Sequence, residues 1–430
     1  MKSTRPRLLS RILAGSLAAL ALGAALPQSA HAGLYYWDVN GTTAGFGSPA
    51  SGTWGTDAYW STDDSGAVAT TAHTTTTSDG INFGAGGIGL GAGTVAVSGT
   101  QNAGALMFAS GSGAIVLSGG TAINLAATSS IIVNNATDTI STKLTGATSL
   151  TKTGTGTLIL SGANDCTGDT IIGAGTLQVG DGSTGSLNGT SGTALTFTAT
   201  STFNVKEAAS STQGMGVLSF SRGEGNVYST AAGASSTATL TFGSMVPRPA
   251  GATANFNIVT NTSSTGATPN KIVVTTPGST VPLSSGSNDR GIFFNLNDGG
   301  TTANYARYDS TGYIRGTNYG VDTNSQTSFT SSGSSTDVFL SATTVAGGQT
   351  ANTIRFTGGD LSLAVGTTLT ANGILLVGST TRNLGTVNVS STLRPTVDGG
   401  EVVIASQATG TTLLRVYPNI VDRGGLPTKV

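Results

Sequence analysis

Cysteine, histidine, glutamate and charge are all scarce in this chain. A single cysteine, Cys166, excludes any intramolecular disulfide. The 2 histidines fall to one, His73, once the N-terminal leader is set aside, because His31 lies within it. Glutamate occurs only as Glu207, Glu224 and Glu401. Charged residues make up 9% of the chain, well under the roughly 25% of an ordinary globular domain. No Lys or Arg lies between Arg11 and Lys143, so the sequence offers no basic face for nucleic acid. Stability without disulfides must come from burial and backbone hydrogen bonding.

What is present is a leader, then glycine, threonine and short apolar clusters. Lys2, Arg5, Arg7 and Arg11 precede the apolar run Ile12 to Leu26, and Ala30-His31-Ala32 has the small-residue pattern of a cleavage site. The run is shorter than the roughly 20 residues that span a bilayer, so residues 1–32 read as a signal peptide and no transmembrane segment is expected in the mature chain. Loss of those four charges leaves 15 Lys and Arg against 20 Asp and Glu, a net charge of −5. Gly is abundant, at 64 residues, and Pro is sparse, at 11. Thr and Val favour strands because a branched Cβ suits a pleated surface, and Gly supplies turns. No segment after the leader keeps a helical apolar period.

The phrase G-T-L-x-[LV] occurs at Gly156–Leu160 and again at Gly175–Val179, 19 residues on. That is close to one coil of a β-solenoid. The unit 150–182 holds three short strands, at Thr157 to Leu160, Thr170 to Ile172 and Thr176 to Val179. Looser versions run through Ala105–Phe108, Ala114–Leu117 and Ala122–Leu125, and again through Asn352–Phe356, Leu361–Leu363, Gly366–Thr370 and Gly373–Val377. The reading is an all-β protein, a right-handed parallel β-helix. The alternative is a β-sandwich, which needs hairpin turns at intervals; Asn40-Gly41, Asn188-Gly189 and Asn372-Gly373 do not pace the chain. Five segments follow: the leader 1–32, an aromatic and acidic capping segment 33–103, β-helix coils 104–203, an irregular β region 204–336, and further coils 337–430.

The segment GTGTLILSGANDCTGDTIIGAGTLQVGDG resembles the autotransporter-associated β-strand repeat, G-x-G-T-L-x-L-x-G-x-N-x-Y-x-G-x-T-x-[IV]-x-x-G-T-L-x-[VA]. The matches are Gly154, Gly156, Thr157, Leu158, Leu160, Gly162, Asn164, Gly168, Thr170, Ile172, Gly175, Thr176, Leu177 and Val179. Cys166 departs from the pattern, standing where an aromatic residue is usual. The stretch from Trp37-Asp38-Val39-Asn40-Gly41 to Trp60-Ser61 is similar to the start of such proteins. The resemblance implies a bacterial, exported β-helix of the passenger type, associated with the cell surface. Full autotransporters end in a translocator barrel, and no barrel signature is visible before Val430. The chain is therefore expected to be a fragment, or a surface protein that shares the repeat without the barrel.

Chemistry is hard to assemble from these residues. His73 lies in a Thr-rich run with no nucleophile elbow near it and reads as an exposed loop residue. Cys166, between Asp165 and Asp169, lacks the positive surroundings that stabilise a thiolate. One His and one Cys cannot make a structural zinc site. Asp57, Asp63, Asp64 and Asp79 form an acidic stretch where calcium would need six to eight oxygens. The run Gly84 to Gly93 lacks the Asp of a calcium nonapeptide, because Gly91 stands there, and it lacks the Lys of a phosphate loop. Asp298, Asp360 and Asp398 beside Gly-Gly read as turn residues. No catalytic, metal or cofactor-binding residue is assigned, and no enzyme activity is expected. Trp37, Trp54 and Trp60, with Tyr35, Tyr36 and Tyr59, either plug the open end of the solenoid or stack on sugars. Tyr305, Tyr308, Tyr313 and Tyr319 divide between a packed patch and a binding surface. The expected function is an exported structural or adhesive scaffold that meets an unknown surface ligand, with a carbohydrate-binding or polysaccharide-active module as the alternative.

Overall fold

The computed structural model describes residues 33–421, apart from 148, 189–192, 207, 209–210, 232–237, 260–269, 277–287, 297–301, 310–311, 330–332, 342, 346, 358–359, 379–381, 398–399 and 408–413. The leader 1–32 and the final residues 422–430 lie outside them. No helix occurs among the described residues.

Two twelve-stranded sheets form the first stack. Their pairing is parallel from coil to coil. Thr157 pairs with Thr176, Leu158 with Leu177 and Leu160 with Val179. The 19-residue echo in the sequence is thus a vertical stack in space. Strand alternation sends every second side chain inward, and in-register pairing turns those positions into columns. One column runs Leu117, Ile140, Leu160, Val179, Val205. Its neighbour runs Asp138, Leu158, Leu177, Phe203, Val227, Phe256, Phe294. On the facing sheet the column is Leu106, Ile131, Lys152, Ile172, Phe197, Phe220. All of these side chains are buried. Phe83 lies on Phe108 with ring centroids 5.0 Å apart, and Phe197 on Phe220 at 5.1 Å, close to the rise between neighbouring strands. The sandwich alternative fails on this topology, since strands related by hairpins would pair antiparallel.

Residues 204–336, expected to be irregular, divide in two. Strands Ser211–Phe220, Gly223–Thr230, Ala238–Met245, Ala252–Val259 and Lys271–Val274 continue both sheets in parallel. The coils lengthen there: Gly225 pairs with Ala254, 29 residues on, and Ala254 with Ile292, 38 on. Longer corners hide the period without breaking the stack. The stack then ends antiparallel, with Ile292–Phe294 against Asn304–Tyr308 and that strand against Ile314–Gly316. At the other end Gly33–Trp37 pairs antiparallel with Trp60–Ser61. Among the described strand pairs, antiparallel pairing occurs only at these two ends.

A second stack begins at Ser325–Gln326. Its three sheets, of five, four and four strands, are parallel throughout, and it encloses its own core around Ile354, Phe356, Leu369, Ile374 and Leu393. Strand Gly373–Val377 is buried along its whole length. Ile374 and Leu376 face that core, while Leu375 and Val377 pack with Phe293, Leu296, Ala303 and Tyr305 of the first stack's end. Burial on both faces explains why this strand reads as an unbroken apolar run.

Candidate functional site

The aromatic window lies inside the molecule. Trp37 and Trp54 are 0% exposed and Trp60 is 2%. Trp60 meets Trp37 edge-on at 4.8 Å and Trp54 at 5.7 Å, and Trp54 also packs against Phe83. The indole of Trp37 donates to the Ser51 carbonyl at 2.9 Å, and that of Trp54 to Thr75 Oγ1 at 3.1 Å. These rings close the first coil and leave no row of exposed indoles for a sugar to stack on.

His73 departs from its expectation as a free loop residue. Its ring stacks on Tyr35 with centroids 3.7 Å apart, and Nε2 lies 3.1 Å from Asp79 Oδ2. Asp79 is buried, which opposes its ionisation, yet the Thr76 amide and His73 hold its carboxyl below the usual range. The pair clasps the loop 62–78 onto the strand Asp79–Phe83. Two other residues of the acidic stretch, Asp57 and Asp63, serve turns. Asp57 accepts the Thr53 amide at 2.7 Å, and Asp63 accepts Ser65 Oγ at 2.6 Å and the Ala67 amide at 2.8 Å. Asp360 bonds Asn383 of the next coil through both oxygens. Asp298 and Asp398 lie outside the described residues. Among the described residues no three or more His, Cys, Asp or Glu side chains gather in a metal-binding group. The run Gly84 to Gly93 is a tight turn closed by an Ala85–Ile88 bridge. A Cβ on Gly89 would fall 1.8 Å from the Gly111 carbonyl oxygen, so the next coil's turn requires glycine there.

Cys166 is buried in the core of the first stack, and burial, with Asp165 adding to it, pushes its thiol pKa up. Tyr305 is fully buried against Phe293, with centroids 5.4 Å apart. Tyr319 tilts against Phe339 at 5.7 Å, and Tyr313 receives Lys271 both over its ring and at its hydroxyl. The later tyrosines are therefore part of the packing.

The sequence reading missed the buried charges. Arg248, between the two stacks, bonds Asp289 at 2.7 Å and Glu401 at 2.9 Å, and Arg290 reaches Glu401 at 3.1 Å. Arg307 bonds Asp337 at 2.8 Å close by in the same junction, and Asn288 bridges both through its side chain and amide. Within the first stack, Asp138 and Lys152 are each 1% exposed. Lys152 Nζ donates to the carbonyls of Thr153, Gly154 and Ala174. Alternation could have revealed both. Lys152 lies two residues after the inward Leu150, and Asp138 two before the inward Ile140.

No curated protein and no solved structure matches the chain. One family model does, that of the passenger-associated-transport-repeat, over residues 150–179. It spans more than one coil, because Leu150 stacks on Thr170 and Leu158 on Leu177 of the next coil, and it takes in strands Thr157–Leu160, Ala163–Asn164, Asp169–Ile172 and Gly175–Val179 with all but the first residue of Ser149–Thr153. No helix among the described residues is long and apolar enough to cross a membrane. The repeat type implies export to the cell surface or the extracellular space. Residues 150–179 match the passenger-associated-transport-repeat, consistent with the autotransporter-associated repeat.

Proposed function

We propose that this is an exported surface protein whose stacked β-coils serve as a scaffold, structural or adhesive, with no catalysis of its own. The observation that carries the reading is the repeat at 150–179, built into the middle of the first stack in register with the coils on either side. A solenoid of this kind shares one continuous core between coils and presents long uncharged flanks. Thr137, Thr157, Thr176 and Thr202 line one outer column in register, and hydroxyl-bearing faces suit contact with other polar, weakly charged surfaces. Among the described residues, His73, Cys166 and the carboxylates of Asp57, Asp63 and Asp79 are engaged in turns, a clasp and core packing.

The test is display and attachment. An epitope tag inserted in the exposed turn at Ser183 is expected to be labelled on intact, unpermeabilised cells, and deletion of the gene is expected to reduce attachment to surfaces. Label found only after permeabilisation would overturn the export reading. Normal attachment of the deletion strain would overturn the adhesive one and leave the structural one, which a cell-envelope integrity assay then tests.

A further inference from the structure

Two unpartnered acceptors lie together in the core of the first stack. Asp138 occupies an inward position of strand Thr137–Ile140, in register with Leu158 of the repeat. Its Oδ1 accepts the Ile115 amide at 2.8 Å and Asn135 Nδ2 at 3.0 Å. Its Oδ2 is buried with no partner, and so is Oδ1 of Asn135, the other end of the amide that reaches this carboxyl. Asn135 is itself fixed, because Nδ2 also donates to the Gly113 carbonyl at 2.8 Å. Two acceptors cannot bond one another. A proton on Asp138 Oδ2 makes one of them a donor and satisfies both. An unmade bond at such a buried group is costly.

We propose that Asp138 takes up a proton in the folded coil and donates it to Asn135 Oδ1, closing a reciprocal acid–amide pair, so that the coil preceding the repeat tightens in mildly acidic surroundings and loosens at neutral pH. The proton comes from solvent and no covalent bond between heavy atoms forms or breaks. The strands on either side, Ile115–Ser118 and Thr157–Leu160, bring no titratable group. The facing strand Ser149–Thr153 brings Lys152, whose ammonium is already held by three carbonyls. Burial pushes the Asp138 carboxyl up to about 6, against the opposing pull of Asn135, the Ile115 amide and Lys152. The folded chain therefore binds this proton more tightly than the unfolded one, whose ordinary value is 3.8. Stability from this group is present in acid and is lost as pH rises through about 6.

The experiment uses the full mature chain. Urea unfolding at pH 5 and pH 7 is expected to show the folded-to-unfolded ratio about tenfold higher at pH 5 from this group. Asp138→Asn, whose amide makes the same bonds without a charge, is expected to remove that tenfold part. Infrared spectra of the wild-type protein are expected to show a protonated-carboxyl band at pH 5 that disappears by pH 7, a readout that does not depend on the variant folding. Absence of that band at pH 5, or an unchanged pH difference in Asp138→Asn, would overturn the proposal.

Discussion

Cys166 takes the place of an aromatic residue in the repeat and is buried with its pKa raised. Because the thiolate is the reactive form, iodoacetamide is expected to alkylate it slowly in the native protein and rapidly in urea, as followed by intact mass. Native labelling as fast as that of the unfolded chain would show that the coil opens at this corner. Trp60 shows the opposite case, a large side chain filling its site. It contacts both other indoles edge-on. Trp60→Ala is expected to cost about 3–5 kcal/mol, the range for truncating a buried aromatic, as a lower urea midpoint. Asp79 adds a pH term at this end. Its pKa is lowered in the fold, so its stabilisation is present at neutral pH and is lost as pH falls below the ordinary carboxylate range. Asp79→Asn is expected to flatten that acid limb in a pH series of melting temperatures.

A strand in this molecule has two faces with different energetics. In Gly175–Val179, Leu177 lies in an inward column between Leu158 and Phe203, whereas Thr176 lies in the outer threonine column. Leu177→Ala is expected to cost about 2–5 kcal/mol, and Thr176→Ala about 1 kcal/mol or less, in the same denaturation assay. Equal losses would mean that the inward and outward assignments are wrong. The turn before this strand is as constrained as the core. Gly175 has φ +65° and a Cβ there would lie 2.4 Å from the Gly156 carbonyl oxygen. Only glycine takes that conformation at so close an approach without strain; at Gly156, which heads the first copy of the phrase, a Cβ would lie 1.9 Å from the Asn135 carbonyl oxygen.

At the scale of the molecule, two stacks with separate cores meet through Phe293, Tyr305, Leu375 and Val377 and through the buried ion cluster of Arg248, Asp289, Arg290 and Glu401. Removing one member of a buried ion pair leaves the other uncompensated. Arg248→Ala is expected to destabilise the junction by about 3–5 kcal/mol and to split a single calorimetric transition into two. A single transition shifted as a whole would mean that the apolar contact alone couples the stacks. Twelve strands per sheet at the usual spacing make the first stack about 50 Å long, so small-angle scattering is expected to report an elongated particle.

Composition and local pattern were enough to establish an all-β chain and the 19-residue coil, because strand propensity and turn chemistry are local properties. The pairing of Leu158 with Leu177 shows that the echo and the stack are one feature. Coil lengths between Gly225 and Ile292 could not be read in advance, since variable corners erase the period while the sheets stay in register. Tertiary structure alone decided that the three tryptophans face inward, that His73 has a carboxylate partner, and that Glu401 lies beside Arg248, 153 positions away in sequence. These outcomes depend on which surfaces meet once the coils are stacked, and no window of neighbouring residues contains that information.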